Sequence, residues 1–155
     1  MYKRLFLLFY LSIALLFVFC IVSCRHSEEK TRELFKEGSQ FFNQGNYDKA
    51  IEKYKKGLKN DPGNAIGYNL LGMAYRFRFN EIGSQGYKDK EIKAFKKAIE
   101  IDPILWVAYK NLAASLYYQG RKKEAVPYLK KALQLQPNDP EKGLMIKWIE
   151  QGEGK

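Results

Sequence analysis

Three segments of the chain share one pattern of apolar and polar positions. They are GNYDKAIEKYKKGLKNDP (45–62), GYKDKEIKAFKKAIEIDP (86–103) and GRKKEAVPYLKKALQLQP (120–137), and they align without a gap from a glycine to a proline. Apolar residues recur within each segment every three or four positions, which gives a helix one apolar face. A proline ends each segment because it cannot continue a helix. The pattern therefore predicts three amphipathic helices.

A second helical segment precedes each of these glycines. Its large apolar and small residues also recur at helical spacing: Leu34, Gly38 and Phe41, then Tyr68, Leu71, Gly72 and Tyr75, then Tyr109, Leu112, Ala113 and Leu116. The small residues have a steric reason, because two helices pack closely only where side chains are short. The chain therefore repeats a helix–turn–helix unit three times.

This unit resembles the tetratricopeptide repeat (TPR), a 34-residue helix–turn–helix with small, aromatic and proline residues at fixed offsets. The first repeat carries Leu34, Gly38, Phe41, Ala50, Tyr54 and Pro62, and the third carries Tyr109, Leu112, Ala125, Ala132 and Pro137. The resemblance implies an all-α fold, an α-solenoid of about three TPR repeats with a C-terminal capping helix. Glu91 departs from the family pattern, since it occupies the close-packed alanine position of the second repeat.

The repeats divide residues 31–138, the predicted TPR array, into units near 31–64, 65–105 and 106–139. The middle unit has seven extra residues, 76–82, which amount to about two helical turns. We expect them to lengthen the first helix of that unit, and a protruding binding lip is the alternative. Pro127 lies early in a predicted helix that it is expected to kink.

Residues 139–155 form the predicted capping helix and tail. Asp139 and Pro140 are typical of a helix start. Beyond them lies an apolar stripe of Leu144, Met145, Trp148 and Ile149. Repeat arrays need such a helix to cover their last exposed face, so we expect Trp148 to be buried.

The N-terminal segment is basic and then apolar. Lys3 and Arg4 precede an uncharged run from Leu5 to Val22. As a helix this run is about 27 Å long, slightly short of the roughly 30 Å hydrocarbon core of a bilayer. Length alone therefore allows either a cleaved signal peptide or a short membrane-spanning anchor.

The end of this run, Ile21-Val22-Ser23-Cys24, resembles the lipobox of bacterial lipoproteins. The resemblance implies a signal peptide over 1–23, a lipid on Cys24, and a lipidated cysteine and tether over 24–30. Cys20 lacks this context, because bulky rings precede it. In enterobacterial-type sorting an aspartate after the cysteine retains a lipoprotein in the inner membrane. Arg25 stands there instead, which favours the outer membrane, on its periplasmic or surface side.

The sequence predicts no enzyme and no cofactor other than the covalent lipid on Cys24. The only histidine, His26, lies in the tether, and lipidation would occupy the thiol of Cys24. No glycine-rich phosphate loop or HExxH motif occurs, and we predict no metal site. The formal charge of +10 favours anionic partners. Nucleic acid is not expected, because the lysines are spread through the helices in pairs.

The TPR resemblance also implies a concave groove lined by the first helix of each repeat. Carrying the family offsets over predicts a protein-binding wall of Phe35, Ser39, Phe42, Ile66, Asn69, Met73, Arg76, Val107, Lys110, Ala114 and Tyr117. This wall is mostly apolar and fits a hydrophobic peptide. The lysine–asparagine carboxylate clamp of chaperone-binding TPR domains is missing, because Phe35, Ser39 and Val107 occupy clamp positions. Some of these side chains can instead pack between repeats.

Two functions of different classes follow. The first is a lipid-anchored scaffold at a bacterial envelope membrane that binds another protein or peptide through its groove. The alternative is an envelope protein that binds anionic lipid or polymer through its basic surface. A homo-oligomer built through the groove is also open. Partner binding through apolar residues should survive high salt, whereas charge-led adhesion should weaken as screening increases.

Overall fold

The computed structural model describes residues 28–154, which form seven helices and no strand. The helices are α1 (28–43), α2 (Tyr47–Asn60), α3 (Ala65–Ile82), α4 (Gln85–Ile101), α5 (Trp106–Tyr118), α6 (Lys122–Leu135) and α7 (Lys142–Glu153). The predicted all-α solenoid is confirmed: α1 pairs in sequence with α2, α3 with α4 and α5 with α6, and α7 follows. The predicted signal peptide, Cys20, Cys24, Arg25 and His26 lie outside the described residues.

Short polar residues and glycines set the ends of the helices. The Asn46 side chain accepts a hydrogen bond from the Lys49 N–H at 3.2 Å, and Asn64 accepts one from the Gly67 N–H at 2.7 Å. Each satisfies an N–H group that the first turn of a helix leaves without a partner. Gly45 turns the chain between α1 and α2 with a φ of 75°, which glycine adopts without strain.

The middle repeat has the long first helix that its extra residues predict. α3 has 18 residues whereas α5 has 13, and residues 76–82 are all helical. α3 ends at Ile82, and the next residue, Gly83, has a φ of 68°, the left-handed conformation common after a helix. Residues 76–82 therefore lengthen the first helix of the middle unit, as expected. α6 also continues through Pro127, which lies inside the helix on an exposed position.

α7 packs on α6 and begins slightly later than the sequence indicates. Asp139 does not open the helix. Its carboxylate accepts a hydrogen bond from the Glu141 N–H at 2.7 Å, and α7 starts at Lys142. Met145 and Trp148 are buried against α5 and α6, as expected of a capping helix.

The core consists of two apolar clusters that meet between α3 and α4. One cluster joins α2 and α3 to Ala94, and the other joins Phe95 to α5, α6 and α7. Close packing at the meeting point depends on Gly72. A Cβ atom there would lie 2.6 Å from the Phe95 ring, closer than carbon atoms approach.

The first helices lie on the inside of the array. α3 contacts α5 directly, and no two of the second helices α2, α4 and α6 pack as closely on one another. The first helices therefore form the inner wall and the second helices the outer face, as expected for a curved solenoid. No helix within residues 28–154 is long and apolar enough to cross a membrane.

Candidate peptide-binding groove

A buried polar network joins α3, α4 and α5 at the centre of the inner wall. Arg76 donates from Nε to Glu91 Oε1 at 2.7 Å, and from Nη2 to the Asn111 carbonyl at 2.6 Å and Ser115 Oγ at 2.8 Å. Ser115 also donates to Glu91. Asn111 Nδ2 donates to Asn69 Oδ1 at 2.9 Å. One guanidinium therefore bridges two adjacent repeats.

The network explains why glutamate stands at the alanine position of the second repeat. Ala50 and Ala125 fill the equivalent sites and are fully buried. Glu91 is also fully buried, so its charge needs a partner, which Arg76 supplies. Its second oxygen makes no hydrogen bond within the described part of the chain and lies 3.8 Å from Lys88 Nζ.

The three predicted groove residues of α1 take part in packing within and beside the first repeat. Phe35 stacks on Tyr54 with ring centroids 6.3 Å apart, and its ring covers Gly57. Ser39 shares a hydrogen bond with the Tyr54 hydroxyl at 3.2 Å. Burial raises the pKa of Tyr54, and the bond to Ser39 opposes that rise only in part. Phe42 packs edge-on against Tyr47 at the start of α2 and against Phe77 on α3.

Of the predicted groove residues on α3, two are at least partly exposed and two belong to the buried polar network. Ile66 is 62% exposed at the start of the helix, and Met73, two turns further along the same face, is half-buried. Asn69 is buried, and Arg76 is mostly buried, because both belong to the polar network. Ile66 is thus the most open apolar residue of the predicted wall.

The predicted residues of α5 point partly toward α7. Val107 and Ala114 are half-buried. Lys110 pairs with Asp139 at 3.0 Å and with Glu141 at 3.1 Å. Burial by itself lowers the pKa of Lys110, but the hydrogen bonds to both carboxylates outweigh it, and the pKa is raised overall. This lysine is therefore held as a cation inside an ion-pair cluster.

Tyr117 forms the end of the wall. Its ring stacks on Trp148 with centroids 4.4 Å apart and an angle of 18° between the planes. Its hydroxyl donates to Gln151, also on α7. Tyr117 therefore joins α5 to the capping helix.

Sequence offsets missed three residues of this region. Asn111 lies next to a predicted position and connects Asn69 to Arg76. Phe77 packs edge-on against Phe42 with centroids 5.1 Å apart, yet remains 38% exposed. Tyr118 is 72% exposed beside Trp148. Asn111 had a usable signal, because a polar side chain on a packed helix needs a hydrogen-bond partner.

The described residues offer no cluster of three or more histidine, cysteine or acidic side chains suited to a metal ion. On the inner wall, residues 28–154 present apolar side chains around the buried polar network, whose members bind one another. Such a surface binds other molecules by shape and apolar burial.

Comparison with protein-family models identifies the repeats. Models described as TPR repeat and tetratricopeptide repeat match residues 38–76, 83–104 and 106–139, which together make up more than half of the chain. The chain belongs to the tetratricopeptide-repeat family. No curated protein sequence matches it.

Solved structures of other TPR domains superpose on most of the chain. The first TPR domain of Spaghetti (RPAP3), bound to the HSP90 peptide SRMEEVD, is 26% identical with a TM-score of 0.72. The match covers 82% of this chain and 98% of that domain. MamA is 26% identical with a TM-score of 0.69, covering 81% of this chain and 69% of MamA. The TPR domain of Arabidopsis OM64 is 22% identical with a TM-score of 0.70, and 81% and 98% are covered. The last similarity concerns the TPR fold alone.

Proposed function

We propose that the protein is a lipid-anchored TPR scaffold that binds an apolar segment of another protein through its groove, at a bacterial envelope membrane. The observation that carries the groove assignment is Ile66. It is 62% exposed on an inner helix, and Met73 and Val107, at two further predicted wall positions, are half-buried. An exposed apolar residue on a concave wall is typical of a peptide-binding site.

The two cations of the predicted wall are already paired with acidic residues of this chain, which favours an apolar partner over an acidic one. The RPAP3 domain binds the peptide SRMEEVD, which carries two glutamates and an aspartate. In this chain Arg76 is bound to Glu91, and Lys110 to Asp139 and Glu141. Binding an acidic peptide end would require breaking one of these internal pairs. The groove therefore offers burial of apolar side chains as its main source of affinity.

Two glutamate substitutions on one helix test the groove. Ile66→Glu places a charge on the proposed wall, and Ile82→Glu places the same charge on a 47%-exposed isoleucine about 24 Å further along α3. Membrane-bound protein is cross-linked from a photoreactive residue at position 73 in all three forms. A discrete cross-linked partner should disappear in Ile66→Glu and persist in Ile82→Glu.

The outcome distinguishes groove binding from general adhesion. The cross-link should also survive about 1 M salt, at which electrostatic screening acts within about 3 Å. If both isoleucine variants keep the partner, or if salt removes it from the wild type, the groove assignment is wrong.

The anchor is a separate part of the proposal and rests on the sequence around Cys24. Attachment is stable when the thioether lipid is joined by a second signal, such as a further acyl chain. In bacteria fed an alkyne-tagged fatty acid, Cys24→Ala should abolish labelling and leave the precursor uncleaved. Cys20→Ala is the matched control and should label and mature normally. Equal labelling of both variants would refute lipidation at Cys24.

A further inference from the structure

The positive charge of the described residues is concentrated on one face of the array. The second helices α2, α4 and α6 hold fourteen lysines against six acidic residues, a net charge of +8. The first helices α1, α3 and α5 hold six basic and five acidic residues, a net charge of +1. Lysines needed only for solubility would be interspersed on all faces. The outer face is therefore basic and the inner wall almost neutral.

Repeat symmetry arranges part of this charge in a row. Lys55, Lys96 and Lys130 occupy the same position in the three gap-free segments, and all three are exposed. Each is followed by a second lysine. The stacking of equivalent helices therefore brings these lysine pairs into register across α2, α4 and α6.

Several of these fourteen lysines lack a close internal partner. Within residues 28–154, Lys55, Lys59, Lys93 and Lys96 make no ion pair and no hydrogen bond, and all four are exposed. Arg76, Arg78 and Arg121 behave differently, since each makes an ion pair within the domain. Lysine is a compact and strongly hydrated cation, suited to a diffuse layer of negative charge more than to one planar ligand.

We infer that the outer face docks on a bilayer containing anionic phospholipids, so that the inner wall faces away from the membrane. Charge complementarity supports this occupant, because a cluster of lysines near an anionic leaflet is attracted over about a Debye length. The docking does not depend on the groove. It complements the proposed anchor, because α1 is already helical at residue 28. The four residues from Cys24 to Ser27 then span at most about 14 Å, which keeps the array close to the surface.

Lysine footprinting of the full chain tests the inference. The protein is reconstituted into vesicles of zwitterionic lipid alone or with anionic phosphatidylglycerol, and is treated with an amine-reactive reagent before mass spectrometry. Labelling of Lys55, Lys59, Lys93 and Lys96 should fall about threefold or more in the anionic vesicles. Lys36 on α1 and Lys142 and Lys147 on α7 are exposed controls whose labelling should stay unchanged.

A charge-reversed pair provides the second measurement. Lys55→Glu with Lys96→Glu should restore labelling of Lys59 and Lys93, whereas Lys142→Glu with Lys147→Glu should leave their protection intact. Helix content by circular dichroism confirms that both variants fold. Protection should vanish in about 1 M salt.

Three results would overturn the inference. They are equal labelling in both kinds of vesicle, protection that persists in high salt, and equal protection by soluble polyglutamate on zwitterionic vesicles, which would point to an acidic polymer. None of them affects the groove proposal, because the probed lysines lie on the second helices.

Discussion

Removing one partner of the Arg76–Glu91 pair should destabilise the fold by an amount that depends on which partner is removed. Glu91 is fully buried, whereas the Arg76 side chain is 22% exposed. In Arg76→Ala the carboxylate stays buried with only Ser115 as a close donor and Lys88 Nζ 3.8 Å away. Leaving a buried charge without its partner costs about 3–5 kcal/mol.

Glu91→Ala should be milder. Arg76 keeps its hydrogen bonds to the Asn111 carbonyl and to Ser115, and its exposed edge can reach water. Losing one charge-assisted hydrogen bond costs about 1.5–3 kcal/mol, and alanine matches the residue that the other two repeats carry here. We therefore expect Arg76→Ala to cost about 1–2 kcal/mol more than Glu91→Ala.

Urea unfolding of residues 25–155, followed by circular dichroism, measures these costs. The double variant should be about as stable as Glu91→Ala, because the arginine has no buried charge left to neutralise. Equal costs for the two single variants, or purely additive costs in the double variant, would show that the pair is not coupled as described.

The remaining predictions concern one glycine and one lysine. Gly72→Ala should cost about 1–3 kcal/mol in the same urea assay, because its Cβ would overlap the Phe95 ring. Gly143→Ala, which meets open space on α7, should be neutral or stabilising by up to about 1 kcal/mol, and a loss there would contradict the steric reasoning. Lys110 has a pKa raised above its ordinary 10.5 in the folded protein. The stability that its charge contributes is therefore complete below pH 10.5 and is lost as the pH rises through the folded pKa. The stability difference between wild type and Lys110→Met should stay constant from about pH 8 to about pH 10 and shrink as the pH rises above 10.5; a difference that stays constant above 10.5 would contradict the ion-pair assignment.

Sequence periodicity predicted most of the fold because each repeat carries the apolar pattern of its own two helices. The glycine and proline at the ends of the aligned segments bracket α2 and α6 closely, whereas Gly86 lies inside α4, which begins at Gln85. The extension of α3 was also predictable, since seven residues without a turn signal simply continue a helix. The start of α7 was not. Asp139 prefers the Lys110 ammonium and the Glu141 N–H, and Lys110 comes from a helix 29 residues earlier.

The groove was harder to predict than the helices. Family offsets specify which face of a helix turns inward, but not which side chains the next repeat covers. Phe35 illustrates the difference, because a Cβ at Gly67 of the following repeat would lie 2.6 Å from its ring. Ile66 has no such neighbour and stays open. The family offset placed Arg76 on the wall. Its ion pair with Glu91 becomes visible only when α3 and α4 are brought together.

The Arg76 bridge has a consequence for how this array could change by duplication. A TPR unit normally fits beside any other unit, because their contact is apolar and built from small residues. Here the middle and last units are matched to one another. Arg76 and Glu91 come from the middle unit, and the Ser115 and Asn111 groups that accept hydrogen bonds from Arg76 come from the last unit. Copying a foreign unit between them would leave Arg76 paired with Glu91 but would remove the Asn111 and Ser115 acceptors of its Nη2 group. Their order is therefore fixed chemically, and lineages that lengthened this array would be expected to add units at its outer ends.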